Sequence, residues 1–221
     1  HIDVIKLLLD NGAPVDSGYG CDGRRKTALH YACTIGHLDM MQLLIERGAN
    51  IENQGHFGTA LGFAVHYHQR EAVKFLLDRG ADAPETSWHW SQTALHVAAK
   101  AQNTEIALLL LEAGANPAAK WGQLKYQPLH LAAANRDLEM MKLLLDHGAP
   151  VDGVFGCDGA SETALHCACS TGHVEMIDLL IEHGADLEAQ GHYGTALGFA
   201  VHHRKLDAVR CVLGWGAEAT A

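Results

Sequence analysis

The sequence predicts an all-α solenoid, a row of helix-turn-helix units joined by β-hairpin-like loops. Three observations carry that prediction. The string Thr-Ala-Leu-His occurs at Thr27, Thr93 and Thr163, with variants at Thr59, Gln127 and Thr195. A second string, Leu-Leu-x-x-x-Gly-Ala or a near variant, places glycine at 12, 48, 80, 114, 148, 184 and 216. The steps between the Thr-type positions are 32, 34, 34, 36 and 32 residues, and both markers keep that rhythm. Self-similarity at such a period marks a stack of supersecondary units, each burying its apolar face only against its neighbours.

Each marker has a physical meaning within the unit. Threonine ahead of an apolar run is a good helix N-cap, because its hydroxyl satisfies an orphan backbone N–H. Pro128 follows the cap position, where a missing N–H costs nothing. Leu29, Ala32 and Cys33 recur at helical spacing and give the first helix one apolar face. Gly36 and Gly172 fit a short turn, and His37 and His173 open a second helix. That helix carries Met40, Leu43 and Leu44 in one unit and Met176, Leu179 and Leu180 in another. Gly48 and its equivalents stand where a left-handed residue ends a helix. The stretch to the next threonine is rich in Gly, Asp, Asn and Gln, as a turn-forming loop should be.

The expected layout is a single array over 1–221. It comprises a partial unit at 1–22, then units at about 23–54, 55–88, 89–122, 123–158, 159–190 and 191–221. Because His1 occupies the Gly-His position, the chain is expected to enter at a second helix and to be a segment of a longer array. A longer period lies over the short one. Residues 1–85 align without gaps to 137–221, with about 48 identities. Gly20-Cys21-Asp22-Gly23 reappears as Gly156-Cys157-Asp158-Gly159.

The unit resembles the ankyrin repeat, on Thr-Ala-Leu-His at 27–30, Gly-His at 36–37 and Leu-Leu-Ile-Glu-Arg-Gly-Ala-Asn at 43–50. The block copying is also similar to that of fungal multi-repeat ankyrin proteins. Two departures are visible. Alanine replaces the usual proline after threonine in five of six units, and Gly62 and Gly198 replace the usual histidine. In the family that histidine helps bond neighbouring repeats, so the junctions at Gly62 and Gly198 are expected to be held differently.

Composition narrows the function. A formal charge of −10, and no basic run longer than Arg24-Arg25-Lys26, argue against nucleic acid. The sequence shows neither a leader peptide nor an apolar run long enough to span a bilayer. Six cysteines in a chain with ample core read as free thiols, which suits a cytoplasmic, intracellular setting.

Sixteen histidines invite a metal or acid–base reading. His30, His96, His130 and His166 have addresses in the repeat motif, and His37 and His173 lie in the interhelix turn. His66, His68, His202 and His203 end the first helices of the two glycine-bearing units. An i, i+2 pair on a helix diverges, and zinc needs four converging ligands. Neither Cys-x-x-Cys nor His-Glu-x-x-His occurs. Cys33 and Cys169 take buried small-residue positions, whereas Cys21 and Cys157 fall in long loops and are the exposed thiols. The expectation is a protein without catalytic residues, bound metal or cofactor.

The resemblance implies a binding face made of hairpin tips and first-helix ends. In this chain those positions hold Trp88, His89 and Trp90 before one unit, and Trp121 and Tyr126 before the next. Helix ends add Lys100, His66, Tyr67, His202 and His203, with Thr34, Ile35, Asn135, Ser170 and Thr171 beside them. Exposed Trp and Tyr dominate protein interfaces, so these ten named first are the expected partner-binding residues. Alternatively the rings pack between fingers and stiffen them. The expected role is a non-catalytic interaction scaffold for a protein partner, with no nucleic acid and no membrane. A structural spacer is the alternative, and the uncapped ends are open to self-association.

Overall fold

The computed structural model describes residues 2–18, 26–55, 58–83, 92–156 and 161–219. Among them run thirteen helices: α1 (Ile2–Asp10), α2 (Ala28–Ile35), α3 (Leu38–Glu46), α4 (Ala60–His66), α5 (Arg70–Leu77), α6 (Ala94–Lys100), α7 (Thr104–Glu112), α8 (Pro128–Asn135), α9 (Leu138–Asp146), α10 (Ala164–Thr171), α11 (Val174–Glu182), α12 (Ala196–His202) and α13 (Leu206–Gly214). Even-numbered helices form one layer and odd-numbered helices the other. Each even helix packs on the odd helix that follows it and on its even neighbours. The described residues contain no strand. Four isolated antiparallel bridges instead pinch the connecting loops into fingers: Gly55 with Gly58, Trp121 with Tyr126, Phe155 with Glu162, and Gly191 with Gly194.

The sequence markers do what their chemistry requires. Thr27 is extended at the N-cap of α2, and its backbone N–H donates to His30 Nδ1 at 3.0 Å. The same bond recurs from Thr93 to His96, Gln127 to His130 and Thr163 to His166. All seven glycines at the ends of the odd helices, from Gly12 to Gly216, have φ between 81° and 95°. Only glycine adopts that backbone without strain.

One continuous core runs through the stack. Its centre is a row of alanines, Ala32, Ala64, Ala98, Ala132, Ala168 and Ala200, each nearly solvent-free. These let the even helices approach closely, and consecutive even helices pack more tightly than consecutive odd ones. The stack therefore bends toward the even layer, which becomes the inner, concave one. Loops add a ladder of their own. Asp16, Glu52, Asp152 and Glu188 each accept the backbone N–H of the next loop, at Asn50, Asp82, Asp186 and Glu218.

Candidate partner-binding face

The four motif histidines tie the start of each first helix to the loop that follows the same helix pair. Nε2 of His30, His96, His130 and His166 donates to the carbonyls of Asn53, Tyr126, Gly153 and Ala189, at 2.7–3.0 Å. With Nδ1 accepting a backbone N–H, one neutral tautomer satisfies both ends. Burial pushes all four below their ordinary value, His130 to about 4. Every one of these rings also lies near an aromatic ring further along the chain, on the next finger or the next even helix. His30 meets Phe63 at 4.6 Å between centroids, His130 meets Phe155 at 4.6 Å, and His166 meets Phe199 at 4.5 Å; Trp121 approaches His96 at 6.0 Å.

The two glycine junctions are held differently, as the missing imidazole requires. A Cβ at Gly198 would stand 2.2 Å from the Tyr193 carbonyl oxygen, so the loop backbone closes over the helix there. Phe63 and Phe199 fill the space instead, and Gly55 and Gly191 have room for nothing but hydrogen beneath those rings. Without a histidine three residues on, the Thr59 and Thr195 hydroxyls are buried and have no hydrogen-bond partner.

The expected binding residues fall into three groups. Trp88, His89 and Trp90 lie outside the described residues, as do the two loop thiols, Cys21 and Cys157, expected to be exposed. Trp121 and Tyr126 face each other across a finger, ring centroids 6.3 Å apart, and both are half-buried. Tyr126 spends one ring face on Phe155 at 4.7 Å, and burial raises its hydroxyl pKa. Lys100 points its ammonium at the Trp121 ring, 5.9 Å from the centroid. His66 is half-buried while Tyr67 is exposed beside it. Together with His68, Gln92, Val97 and Ala101, His66 and Lys100 line an open hollow of about 330 Å³ on the inner layer. His202 and His203 lie at the far end of the stack. Tyr193 stacks on His202 at 3.8 Å and meets His203 edge-on.

Several polar helix ends are consumed by the fold. Asn135 donates to the carbonyls of Ala99 and Lys100, and Gln69 and Gln102 donate to Thr34 and Asn135 of neighbouring units. Thr34, Ser170 and Thr171 cap their own helix turns. Sequence reasoning missed Tyr31, which is 50% exposed on α2, and Tyr193, which is 40% exposed on its finger. Tyr31 could have been found from its register, one residue after the motif histidine and on the inner side of the helix.

Burial pushes the thiols of Cys33, Cys167, Cys169 and Cys211 up to about 12, so none is a thiolate near neutral pH. Among the described residues no three His, Cys, Asp or Glu side chains converge as a metal site, and no helix is long and apolar enough to cross a membrane.

Comparison with known proteins places the chain. The chain is 27% identical to the crystal structure of the ankyrin repeat domain of Bcl-3, with a TM-score of 0.79 and 90% of each chain covered. Against the human ASB11 ankyrin repeat domain the identity is 29% and the TM-score 0.77, over 100% of this chain and 94% of that one. A probable E3 ubiquitin-protein ligase of Oryza sativa subsp. japonica, XBOS33, is 34% identical over 95 residues, 42% of this chain and 18% of its own. The chain thus spans under a fifth of the length of such relatives. A family model described as ankyrin repeats in three copies matches residues 1–87, and one described as ankyrin repeats in many copies matches 95–145 and 129–181. On these grounds the chain belongs to the ankyrin repeat family, whose fold is typically a non-catalytic protein-interaction module.

Proposed function

We propose that this array is a non-catalytic scaffold that holds a protein partner on its inner layer and finger tips. The observation that carries this reading is the hollow bounded by His66, Val97 and Lys100, with Trp121 beside it, open on the concave side of the stack. The contact set is Trp88, His89, Trp90, Trp121, Tyr126, Lys100, His66, Tyr67, His202 and His203. A cytoplasmic setting suits it, because Cys33, Cys167, Cys169 and Cys211 are all free thiols. The array is expected to be divided into the units read from the sequence.

Replacing Trp88, Trp90 and Trp121 together by alanine tests the site. Helical circular dichroism should persist while a partner found by crosslinking to the wild-type chain is lost. Retention of that partner would remove these rings from the site.

A second reading, a spacer within a larger protein, is favoured by the block copying of residues 1–85 into 137–221. It predicts that crosslinks scatter over both layers. Against it, exposed inner-layer positions differ between the copies: Tyr31, Ile35 and Tyr67 in one stand opposite Cys167, Thr171 and His203 in the other. Exposed apolar side chains at both ends, Val4, Leu7 and Leu8 on α1 and Val201 and Leu206 near α13, would support end-to-end association, which sedimentation at rising concentration would reveal.

A further inference from the structure

Charge is divided between the layers of this array. The chain carries 26 acidic residues against 16 Lys and Arg, yet none of α2, α4, α6, α8, α10 or α12 contains an Asp or Glu. The acids lie on the odd, outer helices and in the connecting segments, with Asp137 at the start of α9 and Glu162 on the finger beside Tyr126. There Asp16, Glu52, Asp152 and Glu188 are engaged by backbone N–H groups of the next loop. The separation is sharpest in the middle. Residues 86–104 and 113–136 hold no carboxylate, and they supply Lys100, Lys120 and Lys125. All three lysines are exposed, and no carboxylate of the described residues is in salt-bridge range of them. Lys120 and Lys125 flank the finger that carries Trp121, and Lys100 reaches that ring from the helix beneath.

We propose that this central patch selects an acidic, extended peptide segment of its partner, placing carboxylates on Lys100, Lys120 and Lys125 and an apolar side chain beside Trp121. The proposal rests on the interaction reading above and adds the chemistry of the partner. In a chain of net charge −10, a local cationic face attracts a short acidic segment. A polynucleotide fits worse, since its phosphates would run on past three lysines into the acidic outer layer, and each phosphate held needs its own cation. An apolar–acidic peptide matches both the cations and the half-buried indole.

The test uses the whole 221-residue chain and fluorescein-labelled synthetic peptides of repeating Glu-Leu, Gln-Leu and Lys-Leu, read by anisotropy. Glu-Leu should bind about tenfold more tightly than Gln-Leu at about 20 mM salt, and the difference should shrink at about 200 mM. Lys100→Glu with Lys120→Glu should weaken Glu-Leu at least about fivefold and leave Gln-Leu unchanged. Lys142→Glu, an exposed change on outer helix α9, should leave both unchanged. Should the double variant lose helical circular dichroism, the single exposed change Lys100→Gln carries the same test. Equal binding of Glu-Leu and Gln-Leu, both lost in Trp121→Ala, overturns the charge preference and leaves the interaction reading standing. Tighter binding of Lys-Leu, or of single-stranded DNA, overturns the proposal. Binding of no peptide, with a partner crosslinked only to outer helices, overturns both.

Discussion

Acid should unfold this stack well before its carboxylates are protonated, and His130 shows why. Its ring is 1% exposed, accepts the Gln127 N–H on Nδ1 and donates from Nε2 to the Gly153 carbonyl. A second proton has to go on Nδ1, where it meets a donor instead of an acceptor and stays away from water. Burial is the largest cause of the lowered pKa, and the Gly153 carbonyl only partly offsets it. The folded value is about 4 against an ordinary 6.5. Since the folded pKa is the lower one, folding favours the neutral ring. The contribution is complete above pH 6.5 and is lost as pH falls toward 4. At about 1.4 kcal/mol per pH unit this amounts to about 3 kcal/mol, of which about 2 kcal/mol is gone by about pH 5. His30, His96 and His166 are lowered for the same reason and act in the same direction. Urea titrations followed by circular dichroism between about pH 7 and about pH 5 should show the midpoint falling steeply. His130→Gln should start less stable and lose less over that range. A wild-type midpoint that does not move between those pH values would refute the reasoning.

Four further outcomes follow from the same contacts. Thr27→Ala should cost about 1 kcal/mol and Thr59→Ala distinctly less, measured as urea midpoints, because Thr59 Oγ1 has no partner to lose. Gly198→Ala should cost about 1–3 kcal/mol through collision with the Tyr193 carbonyl, whereas Gly214→Ala, with open space around its Cβ, should gain about 0.5–1 kcal/mol. Arg136 holds φ 58° where Gly36 and Gly172 stand in other units, so Arg136→Gly should raise the thermal midpoint by the equivalent of about 1 kcal/mol. Cys33 and Cys169 should resist alkylation near neutral pH in the folded chain and react in urea, as read by mass spectrometry of their peptides.

Local chemistry explains what could be read in advance. Thr27 and Gly48 announce helix ends because capping and left-handed backbone involve only a few neighbouring residues. The rings over the imidazoles could not be read that way. Phe63 meets His30 across 33 positions, and only the pairing of Gly55 with Phe63, repeated at Gly191 and Phe199, hints that a finger must thin to admit a ring. Asn135 looked available for a partner because its type is polar and its place is a helix end. Its amide is instead spent on two carbonyls of the preceding unit, a contact between units that periodicity does not specify. Trp121 leans on its own stack, near His96 and Tyr126 and under the Lys100 ammonium, a set of neighbours drawn from two units that periodicity does not specify.

The alanine row has a mechanical consequence. With methyl groups along its centre, the inner layer has little slack, so it acts as the neutral line of a leaf spring. The outer helices, more loosely stacked, take up nearly all of any bend. Opening or closing the curve therefore rearranges outer contacts first and leaves the imidazole bonds from helix start to finger loop at their lengths. A ligand lying along the inside meets a surface of nearly constant pitch, and the array can adjust its curvature to that ligand's length without remaking the face that touches it.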